Sequence, residues 1–233
     1  MTQTISLSGH VVDLTDPDPN SITVSDVAAG LAGQIRWGGR AGTWLTVAQH
    51  SLDAAALGLS VGRKIILPGR EKRLAVHCLL HDVGEAYLGD ITTPAKEALG
   101  RPRVDELERR LVAAVRAHLG VAEPLPCVSR AVESIDGALV ILEWESLSPL
   151  MPIGEGRISH DRRMRRFRET LPHPEAVDLV PYQVRQSYEV ARVHHPMTPD
   201  DACYWMFHAL QALPCEEELE RVLTRYSTEY FCW

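Results

Sequence analysis

Cysteine is scarce in this sequence and forms no CxxC pair. The five cysteines, at positions 78, 127, 203, 215 and 232, are widely spaced and odd in number. This pattern excludes a disulfide framework and a cysteine-based zinc ribbon, and it predicts reduced thiols in a cytoplasmic protein. The N-terminus has no basic stretch followed by an apolar one, so we expect no signal peptide. No apolar run approaches the length of a membrane-spanning helix, so we expect no membrane partner.

An excess of positive charge is also missing. The chain has 24 Lys and Arg against 31 Asp and Glu, a formal net charge of -7, which makes a nucleic-acid partner an unfavoured interpretation. One run departs from this balance: residues 157–168, RISHDRRMRRFR, contain six arginines. Its composition favours a solvated, partly helical insertion. The alternative is a segment that neutralises a polyphosphate or makes a weak nucleic-acid contact.

The alternation typical of β-strands is absent too, whereas helical periodicity is frequent. A chain of 233 residues, 45% of them hydrophobic, fits one domain over residues 1–233. We expect Ser25 and Asp26 to cap a first helix, Thr43 or Thr46 a second, and Thr198 the last one. Residues 150–185 are rich in Pro, Gly and Arg and form an insertion. The fold class predicted is an all-α bundle, with helices in VAAGLAGQI, VAQHSLDAAAL, EKRLAVHCLLHDVGEAYL, RVDELERRLVAAVRAHLG, SRAVESIDGALVILEWESL, PYQVRQSYEVARV and TPDDACYWMFHALQAL.

Four residues form an H…HD…D pattern suited to a divalent metal: His50, His81, Asp82 and Asp136. Imidazole and carboxylate donors suit Mn, Co, Fe or Zn, and Mg is a further option. Asp136 has apolar helical neighbours, so its charge needs compensation by a metal or, in the alternative interpretation, by an arginine or a helix cap. Adjacent residues point about 100° apart on an ideal helix. His81 and Asp82 therefore reach one ion only if it lies beside their helix, with His50 and Asp136 supplied by other helices.

The pattern resembles the HD superfamily of metal-dependent phosphohydrolases. Arg36-Trp37 before the first histidine, Glu85 and Asp90 after the His-Asp pair, and the following TTPAK resemble its bacterial 5'-deoxynucleotidase branch. The segments RWGG…VAQHS and GD…TPAK also resemble short phage HD phosphohydrolases, some of which cleave deoxyadenosine triphosphate to nucleoside and triphosphate. The resemblance covers roughly residues 20 to 145 and implies a helical HD domain with the metal site in its core. The signatures HDxxED and GYP of other branches are absent, so one metal ion is expected.

The resemblance also implies roles for the surrounding residues. Glu85 orients the attacking water or accepts its proton, and Asp90 protonates the departing 5'-oxygen unless it only caps a turn. Arg36 and Lys96 bind phosphate oxygens unless they are surface cations. Trp37 is expected to lie against the sugar or the base unless it is a core residue, and in the related nucleotidases this neighbourhood leaves no room for a 2'-hydroxyl.

The leading hypothesis is a 5'-deoxynucleotidase that converts a deoxynucleoside monophosphate to deoxynucleoside and phosphate. A deoxynucleoside triphosphate triphosphohydrolase would use the same residues. Two other classes are a non-catalytic metal- or nucleotide-binding HD domain and a nuclease that acts on nucleic-acid ends. The partner expected is a small nucleotide. The apolar helix with Tyr204, Trp205, Met206 and Phe207 either forms a homodimer interface or closes the core, which is the favoured interpretation.

Overall fold

The computed structural model describes residues 2–39, 44–65, 70–147 and 197–230, together with Arg165, Phe167, Glu169, Asp178 and Val180. The predicted helix in 181–193 lies outside the described residues, as does nearly all of the predicted insertion. The described residues are mainly helical, which confirms the all-α class. Their α-helices are α1 Val24–Gly33, α2 Val47–Ile65, α3 Glu71–Leu79, α4 Glu85–Leu88, α5 Thr93–Leu99, α6 Arg101–His118, α7 Pro126–Leu147, α8 Pro199–Ala212 and α9 Glu216–Tyr230.

A small β-hairpin precedes the helices and was not predicted. Strand β1 (Gln3–Ile5) pairs antiparallel with β2 (Val11–Asp13), with Thr4 opposite Val12. Strands of three residues are too short to show a period of two in the sequence. Val12 is fully buried against the helices, so the hairpin closes one side of the core.

The core is built around α2, which packs against α3, α7, α8 and α9. Leu52, Leu74 and Leu139 are among its fully or almost fully buried residues. A polar contact joins distant parts of the chain there: the Tyr226 hydroxyl on α9 donates a 2.5 Å hydrogen bond to Asp53 Oδ1 on α2, and both side chains are buried. These contacts hold α2 rigidly in the centre of the bundle.

The helix ends agree with the sequence in two cases and differ in one. Thr46 caps α2 by accepting the Gln49 N–H, and Thr198 begins α8 with a reciprocal capping box with Asp201. The prediction for α1 was wrong, because Thr23 is its N-cap. Asp26 lies in the first turn of α1, where its carboxylate accepts hydrogen bonds from the Ser8 and Thr23 side chains and the Ser8 N–H.

The predicted continuous helix through EKRLAVHCLLHDVGEAYL was also wrong. It ends at Leu79, and residues 80–84 form a turn before α4 begins at Glu85. The turn lets α4 pack closely on α6, where a Cβ on Gly84 would lie 3.1 Å from the Glu108 carbonyl oxygen. The break removes the angular constraint of an ideal helix, so His81 and Asp82 both reach the same point. It also means that His77, His81 and Glu85 do not share one helical face.

The C-terminal helices complete the core. Trp205 and Met206 of α8 are buried, which confirms the core interpretation for them, while Tyr204 is 51% exposed. Helix α9 was not predicted, because its sequence is mostly polar and buries only Leu219, Leu223 and Tyr226 along one face. Within the described part of the chain, none of the helices has both the length and the apolar character needed to cross a bilayer.

Candidate metal centre

The structure brings the four predicted metal-binding residues together. His50 comes from α2, His81 and Asp82 from the turn between α3 and α4, and Asp136 from α7. The Nε2 atoms of His50 and His81 are 3.1 Å apart, and Asp136 Oδ1 lies 3.2 Å from His50 Nε2. Asp82 Oδ2 lies 3.1 Å from His81 Nε2 and 3.6 Å from His50 Nε2. The ligand atoms of His50, His81 and Asp136 all lie within 4.8 Å of one another, and Asp82 Oδ2 contacts both histidines, so three parts of the chain meet at one candidate metal site.

The other ring nitrogen of each histidine fixes its tautomer. His81 Nδ1 lies 2.7 Å from the Cys78 carbonyl oxygen, which can only accept, so Nδ1 donates. His50 Nδ1 lies 2.6 Å from Glu143 Oε1 and donates to that carboxylate. In the neutral rings the two Nε2 atoms therefore carry lone pairs that face each other and the carboxylates. A cation stabilises this concentration of acceptors, and the mixed imidazole and carboxylate donors fit a divalent transition metal.

The charges in the cluster support the same interpretation. Burial opposes charge on His81, but the Asp82 and Asp136 carboxylates outweigh it and raise the pKa of His81 well above its usual value. Burial likewise acts against ionisation of Asp136, yet its contacts with His50 and His81 hold its pKa well below the ordinary one. The cluster thus strongly favours a positive charge among its carboxylates, and a metal ion supplies one.

The surroundings of Asp136 differ from those expected. Its side chain is 40% exposed, and its close partners are His50 and His81 rather than apolar residues or an arginine. The compensation that this carboxylate needs therefore comes from the two histidines. This exposure leaves the cluster accessible from solvent on the side of Asp136.

Glu143 is a residue of this site that the sequence interpretation missed. It lies on α7, is completely buried, and accepts from His50 Nδ1 with one oxygen and from Arg36 Nε at 3.3 Å with the other. The available signal was its position seven residues after Asp136, which is two helical turns along one face. An acidic residue within the apolar run ALVILEW is also unusual, because buried carboxylates need partners.

Arg36 lies directly beside the metal centre. Its Nη1 is 3.5 Å from Asp82 Oδ2, and its side chain is only 11% exposed. The Arg36 N–H donates to the Leu45 carbonyl, and a bridge between Ile35 and Thr46 closes the loop behind it. Burial acts to lower the pKa of the guanidinium, but Glu143 and Asp82 outweigh it and raise that pKa. Arg36 is therefore a fixed positive charge at the edge of the cluster.

Trp37 has an unusual backbone and belongs to an aromatic cluster. Its φ of 61° lies in the left-handed region that non-glycine residues rarely adopt. Its ring centroid lies 5.4 Å from that of Trp144 and 5.7 Å from that of Phe167. The indole N–H groups of Trp37 and Trp144 are buried without a hydrogen-bond acceptor among the described residues. The cluster forms an aromatic wall next to Arg36.

The two predicted proton-transfer residues lie beside the cluster in different surroundings. Glu85 is 6% exposed, and burial together with the Asp82 and Asp90 charges raises its pKa to about 9. Its Oε2 has no hydrogen-bond partner among the described residues. Burial also raises the pKa of Asp90, which accepts the Gly38 N–H and whose Oδ2 is similarly unpartnered. Both carboxyl groups thus have a high affinity for protons and a free oxygen.

Lys96 is neither a free surface cation nor a direct neighbour of the four clustered residues. Its Nζ pairs with Glu108 on α6 at 2.8 Å, and both side chains are largely buried. Its charge still lowers the pKa of Glu85 and of Asp90.

Two further histidines and the arginine run are not part of the cluster. His118 is exposed and donates from Nδ1 to the Pro19 carbonyl, which excludes it from this centre. His77 is buried in α3. The arginine run at 157–168 lies outside the described residues except for Arg165, which is exposed, and Phe167.

Comparisons with known proteins agree with this geometry. A family model described as HD domain matches residues 42–123, a range that contains His50, His81 and Asp82. An uncharacterized protein of Rhodobacter capsulatus is 39% identical over 145 residues, which are 61% of this chain and 71% of that protein. The uncharacterized protein YfdR of Escherichia coli is 27% identical over 128 residues, or 55% of this chain and 62% of YfdR. The match to the family model and the helical site together confirm the predicted resemblance to the HD superfamily, and the chain belongs to the HD domain family. Both relatives are uncharacterized, so the 5'-deoxynucleotidase branch stays a prediction.

Proposed function

We propose that this protein is a metal-dependent phosphohydrolase that removes the 5'-phosphate of deoxynucleoside monophosphates. The observation that carries the proposal is the convergence of the His50 and His81 Nε2 lone pairs with the Asp82 and Asp136 carboxylates at a partly exposed point. A divalent metal held there lowers the pKa of a bound water and stabilises charge on a phosphoryl group. The remaining chemistry belongs to side chains of the chain itself.

Glu85 supplies the base in this proposal. Its unpartnered Oε2 is able to accept a proton from the attacking water, and its raised pKa reflects a high proton affinity. Part of that affinity arises from the negative charge of Asp82. Compensation of the Asp82 charge brings the pKa of Glu85 closer to neutrality, where a general base is most effective.

Asp90 supplies the acid. Burial raises its pKa, so it carries a proton more readily than an exposed aspartate does. The Gly38 N–H orients its carboxyl group beside the loop that bears Arg36. This proton goes to the 5'-oxygen of the departing deoxynucleoside, which would otherwise leave as an unstable alkoxide.

The cations near the site favour a substrate with a single phosphate group. Arg36 lies within 3.5 Å of Asp82 and is positioned to donate to phosphate oxygens, and Lys96 adds positive charge from α5. Both are already balanced by Glu143 and Glu108. Little uncompensated positive charge is therefore left for the substrate, which suits a phosphomonoester better than the more highly charged triphosphate. The Trp37 wall beside Arg36 is proposed to lie against the sugar and to disfavour a 2'-hydroxyl.

The test uses metal-stripped protein reconstituted separately with Mn²⁺, Co²⁺, Zn²⁺ and Mg²⁺. Each form is incubated with deoxynucleoside monophosphates, their ribonucleotide counterparts and deoxynucleoside triphosphates, and the products are separated by chromatography. We expect deoxynucleoside and orthophosphate from the monophosphates, with slower turnover of the ribonucleotides. Release of intact triphosphate would overturn the proposal in favour of a triphosphohydrolase. Metal binding without turnover of any nucleotide would instead support a non-catalytic HD domain.

A further inference from the structure

One buried carboxylate connects the metal centre with the arginine beside it. Glu143 Oε1 is 2.6 Å from His50 Nδ1, and Oε2 is 3.3 Å from Arg36 Nε. Glu143 is fully buried, as is His50, and the Arg36 side chain is only 11% exposed. Glu143 on α7 lies 107 residues after Arg36, in the loop after α1, and 93 residues after His50 on α2. Glu143 is therefore the direct connection between a proposed metal ligand and a proposed phosphate-binding residue.

The chemistry of the two contacts requires a carboxylate. Both partners donate: His50 through Nδ1–H and Arg36 through Nε–H, so both oxygens of Glu143 must accept. An amide of the same shape has only one accepting oxygen. If that oxygen faced His50, the NH₂ group would meet the Arg36 donor. If it faced Arg36, the NH₂ group would donate to His50 Nδ1, and the proton would move to Nε2 and block the lone pair needed for the metal.

We infer that Glu143 is a positioning residue that sets the metal-binding tautomer of His50 and the orientation of Arg36 at the same time. The inference deepens the proposed function and rests on it for the role of Arg36. Its consequence is coupling: metal affinity and phosphate recognition depend on one side chain that touches neither the metal nor the substrate. Partners of this kind usually contribute strongly to metal affinity.

The experiment compares Glu143→Gln and Glu143→Asp with Glu133→Gln, a control with the same chemical change at an exposed position of α7. Co²⁺ affinity and the visible spectrum of the bound ion are measured without substrate, and thermal unfolding of each metal-free variant is recorded. We expect Glu143→Gln to weaken Co²⁺ binding about 10- to 100-fold and to change the Co²⁺ spectrum. Glu143→Asp retains two acceptor oxygens and is expected to restore part of the affinity. Glu133→Gln should match the natural protein.

Arg36 is tested by a double-mutant cycle. We expect Glu143→Gln to raise KM more than it lowers kcat, and to raise KM no further when Arg36→Ala is already present. The loss of Co²⁺ affinity should persist in that double variant, because it acts through His50. Equal Co²⁺ affinity of Glu143→Gln and Glu133→Gln would overturn the inference. The Co²⁺ affinity is measured without substrate, so it still tests the inference if the proposed deoxynucleotidase activity is absent.

Discussion

Gly30 of α1 lies against the backbone of Ala86 in α4. A Cβ built on Gly30 would be 2.6 Å from the Ala86 carbonyl oxygen and 3.0 Å from its Cα. Side chains do not approach this closely, so a glycine is required for the two helices to meet. Because α4 begins at Glu85, the proposed base, this contact fixes the position of Glu85 relative to the metal centre.

Gly30→Ala is expected to damage both folding and activity. The added methyl group pushes α4 away from α1, which we expect to lower the free energy of unfolding by about 1–3 kcal/mol. Displacement of Glu85 should lower kcat by about 10- to 100-fold. Gly33→Ala on the same helix is the control, because its Cβ would meet no atom within 4 Å. Urea unfolding and kcat are measured for both variants, and similar behaviour of the two would contradict the predicted clash.

Removal of one proposed metal ligand should remove the metal. Asp82→Ala deletes the carboxylate nearest to His81 Nε2, at 3.1 Å, and we expect the purified protein to lose stoichiometric divalent metal and its turnover. The control is Asp105→Ala, at an exposed position of α6. Metal content is measured by mass spectrometry after dialysis. Full metal occupancy or normal hydrolysis in Asp82→Ala would show that the active metal is bound elsewhere.

Glu85→Gln is expected to separate metal binding from turnover. The amide keeps the shape of the side chain and no longer accepts a proton, so we expect kcat to fall by about 10²–10⁴-fold. Metal affinity should change little, because the proposed ligands are His50, His81, Asp82 and Asp136 and do not include Glu85. Glu97→Gln, on exposed residue Glu97 of α5, serves as the control. If Glu85→Gln keeps its kcat, another group is the base.

The sequence allowed much of the metal centre to be predicted, because spacing and residue type report its chemistry. His50, His81 and Asp136 lie together and Asp82 contacts both histidines, as the H…HD…D pattern predicted. Glu143 was not predicted, because it does not belong to that spacing pattern. A single glutamate in a helix resembles an ordinary charged residue until its distances to His50 and Arg36 are known.

Backbone geometry was the other limit of prediction. The residues from Glu71 to Leu88 favour a helix locally, yet the packing of Gly84 on α6 and of Ala86 on Gly30 breaks it at the His-Asp pair. Tertiary contacts of this kind override local propensity. Helix α9 was missed because three buried residues among many charged ones give a weak signal, although Tyr226 reaches the centre of the core.

The protein should become less stable in acid through His77. This histidine is buried in α3, its Nδ1 has no hydrogen-bond partner among the described residues, and burial together with the Arg116 and Arg73 charges lowers its pKa to about 4. An unfolded histidine has a pKa near 6.5, so between about pH 6.5 and 4 the unfolded chain binds more protons than the folded one. The contribution of neutral His77 to the free energy of unfolding is therefore fully present above pH 6.5. It is lost as the pH falls from about 6.5 to 4, which lowers the free energy of unfolding by up to about 3 kcal/mol.

His77→Gln removes this titration and should flatten the loss. Urea unfolding of metal-free protein is measured at several pH values between 7.5 and 4.5 for the natural sequence, for His77→Gln and for His118→Gln, an exposed control. His50 and His81 also titrate in the metal-free protein. The three proteins are therefore compared by the slope of the free energy of unfolding against pH and not by its absolute value. We expect a shallower slope for His77→Gln alone. Parallel slopes for all three proteins would contradict the prediction, because they would show that the loss of stability in acid does not arise from the burial of His77.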